Sequence, residues 1–214
     1  MTARTYAQYC ALATALDAVG DRWALLVVRE LLSGPKRYTD LRDGLPGIST
    51  DMLAARLREL ESDGIVERAV LAPPAASKVY QLTEEGSALE PVLIALARWG
   101  TPRLSPGQEG EFRPHWLGLS LRTMFHPARA KVDVTVDFVV EGGRFRAVVQ
   151  GGTLELDDNP TGPADVVISG DPAAIAALAR GEESRMSVLA DGRVTVEGEA
   201  QAISALQRAF GLDQ

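Results

Sequence analysis

Five cations stand where they could meet phosphate. Lys36 and Arg37 are adjacent, Arg56 and Arg58 lie two positions apart, and Lys78 follows a Pro-Pro loop. Such groups contact phosphate oxygens, and those carried on a helix also reach base edges. They equally suit a solvated face with partners such as Asp51 or Glu61 at helical spacing. Both readings stay open on pattern alone. Enzymatic signatures are missing: GLSLR lacks the second glycine of a nucleophile elbow. Neither GxxxxGK[ST] nor GxGxxG occurs. His115 and His126 are too far apart for a helical zinc pair, and Cys10 has no second cysteine to join it. The chain therefore reads as a non-enzyme with no cofactor and no metal.

Composition narrows the class. The chain has 214 residues, enough for one large domain or two small ones, and 46% are hydrophobic, enough for a core without staples. A single cysteine excludes an intrachain disulfide framework and fits a reducing compartment. No leader pattern and no apolar run of spanning length is present, so a cytoplasmic protein with no membrane span is expected. Residues 1–100 hold 11 Lys and Arg against 13 Asp and Glu, and residues 101–214 hold 11 against 16. Neither half is basic, so any nucleic-acid contact must come from local patterning.

The elements that must carry these groups follow from periodicity. CALATALDAV reads as a helix ended by Gly20. The next helix has Asp21 as its cap and Trp23, Leu26, Val27 and Leu31 at core spacing. Tyr38–Leu45 is a short helix, LPGIS a turn, and Ser49 the cap of a helix with Leu53, Leu57 and Leu60 on one face. Asp51, Ala55, Arg58 and Ser62 lie opposite, and Gly64 closes the helix. IVERAVL and KVYQL form a hairpin around APPAAS. Thr83 caps one long helix with the stripe Leu89, Val92, Leu93, Leu96 and Trp99. Residues 101–114 have linker composition.

This order of helix-turn-helix and hairpin is a winged helix, whose second helix fits the major groove. The run from ALDAVGDRWALLVVREL through GPKRYTDLRDGLPGIS, ML..RLRELE.DGIVER and VYQLTEEG resembles the HxlR family of bacterial winged-helix regulators, over about residues 8–100. The resemblance implies a homodimer on a two-fold double-stranded DNA operator, with the stripe Leu89, Val92, Leu93, Leu96 and Trp99 at the dimer contact or buried within one protomer. It implies that Ser49–Ser62 is the recognition helix, with Ser49, Thr50, Ala54, Ala55, Arg56 and Arg58 at bases or phosphates. Lys36, Arg37, Tyr38 and Thr39 then contact the backbone from the preceding helix, and Lys78 does so from the wing. Cys10 lies where some family members carry a redox-sensing cysteine, although Ala11 follows it where proline is common.

The texture changes after the linker. VDVTVDFVV alternates, with Val132, Val134, Val136, Phe138 and Val140 on one face. With RFRAVVQ and TLELD it makes a three-stranded meander. ADVVISGDP, the Ala/Leu helix after it and DGRVTVEG leading into the last helix resemble the sterol carrier protein fold, over about residues 115–214. That resemblance implies a mixed sheet with helices on one face and an apolar tunnel for a small hydrophobic ligand. Its lining candidates on the first helix and strands are Trp116, Leu119, Phe125, Phe138, Phe145, Val149 and Leu156. Leu178, Met186 and Leu189 join them from later helices, and each also suits plain core filling. Arg122, Arg144 and Arg146 suit an acidic headgroup or a solvated face. The fold expected is α+β: a winged helix-turn-helix domain over residues 1–100, a linker over 101–114, and a mixed α/β sterol-carrier-like domain over 115–214. The second domain is either an effector sensor, a dimerisation platform or a lipid carrier.

Overall fold

The computed structural model describes residues 5–72, 76–103, 113–141, 143–158, 160–171, 174–175 and 185–212. Most of the expected linker lies outside them. The chain divides into two compact units, Met1–Leu93 and Ile94–Gln214.

The first unit is helical around a two-stranded wing. Helix α1 spans Ala11–Val19 and stops at Gly20. Helix α2 spans Ala24–Leu31 and buries Ala24, Val27, Val28 and Leu31, a stripe at i, i+3, i+4 and i+7. Leu26, expected in the core, falls off that stripe and is exposed. Trp23 is half-buried and precedes α2 with a left-handed φ of 80°. Asp21 does not cap α2 with its side chain; that carboxylate instead receives Arg56.

Helix α3 covers Tyr38–Asp43, shorter than expected, and α4 covers Thr50–Ser62. Leu53, Leu57 and Leu60 of α4 are buried together with Leu41 and Leu45. Past α4, Gly64 takes a φ of +71°, the left-handed turn that favours glycine after a helix. Strands β1 (Val66–Val70) and β2 (Lys78–Leu82) pair antiparallel from Val66↔Leu82 to Val70↔Lys78. The long helix expected after Thr83 is two helices, α5 (Glu84–Ser87) and α6 (Glu90–Gly100), the latter running into the second unit from Ile94. Pro91 is the cause: it has no N–H to give the Ser87 carbonyl, and its ring crowds that carbonyl.

The second unit is built on a five-stranded sheet. Strands β3 (Val134–Val140), β4 (Gly143–Gln150), β5 (Thr153–Asp157), β6 (Val166–Gly170) and β7 (Val194–Gly198) stand in the order β5-β4-β3-β6-β7. Only the β3–β6 pair is parallel. Val132, expected in the first strand, lies outside it and is exposed. Ahead of the sheet, a 3-10 turn, Pro114–Trp116, runs into α7, Leu117–Met124. Helices α8 (Arg185–Ala190) and α9 (Ala200–Ala209) complete the α-helices among the described residues. Val136, Phe138, Phe145, Ala147 and Val149 of the sheet share one core with Leu117 and Leu121 of α7, Val188 of α8 and Leu206 of α9.

Candidate DNA interface and ligand domain

Helix α4 is held from several sides. The Ser49 hydroxyl accepts from the Met52 N–H at 3.2 Å, a cap that stabilises a helix by about 1 kcal/mol. The Tyr38 hydroxyl donates to the Thr50 carbonyl at 2.8 Å, tying α3 to the first turn of α4. The Arg56 guanidinium reaches Asp21 at 2.8 Å and Glu59 at 2.5 Å, and its side chain is only 13% exposed. Arg56, expected among the DNA contacts, is therefore drawn off the outer face by two carboxylates. Arg58 is exposed and has no ion-pair or hydrogen-bond partner among the described residues. Thr50 is exposed, and Ala54 and Ala55 are half-buried beside it. Met52 was not foreseen: it is 44% exposed near the start of this helix.

The flanking cations are positioned by backbone. Lys36 pairs with Tyr80 through two backbone hydrogen bonds of 2.9 and 2.8 Å, so the chain two residues before α3 joins the edge of the wing. The Arg37 N–H donates to the Asp40 carboxylate at 3.0 Å, satisfying the start of α3. Arg37, Thr39 and Lys78 are exposed, while Tyr38 and Lys36 are half-buried. Arg68 of the wing lies over the Tyr80 ring, 5.6 Å from its centroid.

The apolar stripe of α6 splits in two. Leu93 is 4% exposed and fills the protomer's own interior, so it is unavailable to a partner. Val92, Leu96 and Trp99 are exposed, and Leu89 lies before the helix starts. Tyr6, Tyr9, Leu12 and Leu16 near the amino terminus are exposed too. Cys10 is exposed and stands at the N-cap of α1. Arg98 donates to the Thr123 carbonyl at 2.8 Å, joining the end of α6 to the end of α7.

In the second unit, Phe138, Phe145 and Val149 are buried, and Trp116, Leu119, Phe125 and Leu156 are half-buried. The Phe138 and Phe145 rings lie 6.2 Å apart, and those of Phe125 and Phe210 lie 5.7 Å apart. Gly118 lets α7 approach the sheet: a Cβ there would sit 2.7 Å from Leu156 Cδ1 and 3.2 Å from Phe145. Leu189 is 42% exposed and points away from the core, and its neighbour Val188 takes the inward position. Met186 lies in α8, and Leu178 falls outside the described residues.

The opposite face of the sheet holds a cluster that sequence reasoning did not assemble. Asp137 is buried within β3, in register with Arg146 of β4. Arg146 donates to the two carboxylate oxygens at 2.7 and 2.9 Å, and Arg144 donates through Nε at 2.9 Å and through Nη2. The two arginines also donate to the Thr161 and Gly162 carbonyls, pinning that loop across the strands. Arg146 is thus buried away from any solvated face, while the Arg144 side chain stays 40% exposed. Burial pushes the Asp137 carboxyl up, but hydrogen bonds from Arg146 and Arg144 outweigh it and hold it below the usual range. Hydrogen bonding to Asp137 raises Arg146 in turn. Asp165 is lowered by the Thr135 hydroxyl and amide, both donating at 2.7 Å. The signal was present in the alternation, since Asp137, Arg144 and Arg146 share one strand face.

Comparison with known proteins places both units. The HxlR-like helix-turn-helix family model matches residues 18–108, and the SCP-2 sterol transfer family model matches residues 125–211. The HTH-type transcriptional regulator YodB of Bacillus subtilis is 40% identical over 44% of this chain and 84% of its own length. An uncharacterized HTH-type regulator of Synechocystis, sll1512, is 40% identical over 43% of this chain and 68% of its own. The crystal structure of quinone-bound YodB from Bacillus subtilis has 38% identity and a TM-score of 0.37, covering 42% of this chain and 96% of that one. Among the described residues no helix is long and apolar enough to cross a membrane. A winged helix with its second helix capped and exposed, matched by relatives over most of their length, settles the family: the chain is an HxlR-family helix-turn-helix transcriptional regulator that carries a sterol-carrier-like SCP-2 domain.

Proposed function

We propose that a homodimer of this protein binds a two-fold DNA operator through α4, and that its second domain takes up a small hydrophobic effector that changes operator affinity. The functional division follows residues 1–100 for DNA binding and dimerisation, 101–114 for the linker and 115–214 for the ligand. The observation that carries the reading is the capped, exposed outer face of α4, with Arg58 on it and Arg37 and Lys78 on the flanking elements. A helix so presented fits the major groove, and exposed cations beside it neutralise phosphates. Val92, Leu96 and Trp99 offer an apolar surface to a second protomer. Gly118, Phe145 and Leu156 mark the place where a ligand would separate α7 from the sheet. Arg98, bound to the end of α7, supplies a connection from such a movement to α6. The coupling is a free-energy difference between two states, of about 1–3 kcal/mol in typical cases.

The test is binding of the purified protein to a duplex selected from a random library, with Arg58→Ala as the control. Selective binding weakened several-fold by that substitution supports the reading; indifference to sequence contradicts it. Native mass spectrometry of the same preparation tests the rest, since a dimer carrying an apolar small molecule is expected. A ligand that binds without altering DNA affinity assigns the second domain to carriage or dimerisation.

A second reading rests on Cys10, an exposed thiol at a helix N-terminus. An exposed thiol is open to attack by an oxidant or electrophile. Under this reading oxidant or electrophile releases DNA from the wild type and not from Cys10→Ser. Equal responses of the two proteins exclude it.

A further inference from the structure

The first two turns of α4 offer no cation to a base. Arg56 is the one basic residue among positions 50–57, and its guanidinium is committed to Asp21 at 2.8 Å and Glu59 at 2.5 Å. The commonest specific contact in the major groove, a bidentate arginine on guanine, is therefore not available from the end of the helix that reaches deepest. That end presents the Thr50 hydroxyl and methyl, the Asp51 carboxylate, the Met52 thioether and the Ala54 and Ala55 methyls. Met52 is the anomaly, because it is a large apolar side chain left 44% exposed beside two exposed polar residues. Its placement is nevertheless firm. Its own N–H is capped by Ser49, and the preceding turn is tied to Tyr38. An apolar side chain presented from a backbone fixed at this position has one natural counterpart in the major groove, the 5-methyl of thymine.

We propose that Met52, with the Ala55 methyl beside it, reads thymine methyl groups in each operator half-site. Arg56 braces the helix from behind. Arg37, Arg58 and Lys78 supply the sequence-independent affinity on phosphates, and Asp51 disfavours guanine while accepting from cytosine N4 or adenine N6. The inference rests on the operator-binding reading and goes beyond it by naming the base chemistry and its reader.

The experiment uses a duplex that the full-length protein selects from a random library, and the same duplex with deoxyuridine in place of each half-site thymine. Deoxyuridine removes the methyl and leaves every hydrogen-bonding group. Fluorescence anisotropy at one salt concentration gives Kd for the wild type, Met52→Gln and Met52→Leu. Loss of one buried methyl contact is expected to weaken wild-type binding about fourfold. Met52→Gln is expected to lose most of that discrimination, and Met52→Leu to keep it. The inference is overturned if the wild type binds both duplexes equally, or if Met52→Gln shows the wild-type penalty. Selection that enriches no sequence at all instead overturns operator binding itself, and this inference falls with it. Because Met52 is exposed, both variants are expected to melt with the wild type, so a loss of DNA discrimination is read as recognition.

Discussion

Arg56, Arg58 and Asp137 show how one charge type serves different ends. Arg56 is braced between Asp21 and Glu59, and Arg58 stands clear on the same helix. Arg58→Ala is expected to leave the melting temperature unchanged and to lower the salt dependence of DNA binding by about one ion. Arg56→Ala is expected to lower the melting temperature and weaken all sequences alike, because it loosens the helix. Titrating salt and sequence for both variants separates the two roles. Asp137 acts inside the second unit. Its carboxyl is held below the usual range, so its contribution to stability is complete above the unfolded value of about 4 and fades as pH falls through the lower folded value. Thermal melts from pH 7 downward are expected to show that loss, and Asp137→Asn to remove this part of the slope. At neutral pH, Asp137→Asn is expected to destabilise by about 3–5 kcal/mol, because Arg146 is left buried without its partner.

Helices α4 and α7, to which we assign the two functions, depend on different packing. Leu57 of α4 is 1% exposed, so Leu57→Ala is expected to cost about 2–5 kcal/mol in chemical denaturation. Helix α7 depends on a missing side chain. Gly118→Leu would drive a branched side chain into Leu156 and Phe145, and a loss of about 1–3 kcal/mol is expected, with weaker uptake of an apolar probe. The existence of these elements was legible in periodicity: the Leu53, Leu57 and Leu60 face, the Ser49 and Thr83 caps and the alternation in β3 and β4 are local signals. Their limits were less so. Pro91 divides the helix after Thr83, and only a count back to the Ser87 carbonyl reveals it. Leu26 and Leu189 looked like core because they are apolar, yet each lies one position off the buried stripe.

The molecule joins a DNA-reading unit to a lipid-carrier-like one, and its two resemblances were legible because their motifs run in order along the chain. Pairings distant in sequence were not. Arg56 meets Asp21 across 35 positions, and the Thr161 and Gly162 carbonyls reach back to Arg146; neither follows from spacing. The exposed Val92, Leu96 and Trp99 predict that Leu96→Glu yields a folded monomer by light scattering, with operator affinity falling as two-fold binding is lost. The central claim is that an apolar ligand and DNA are coupled through this chain. It is tested most directly by titrating delipidated protein into the selected operator duplex, with and without a saturating long-chain fatty acid, and reading Kd by anisotropy. A change of at least about fivefold in Kd, in either direction, is the result predicted for allosteric coupling. An unchanged Kd, with the fatty acid demonstrably bound, would contradict it.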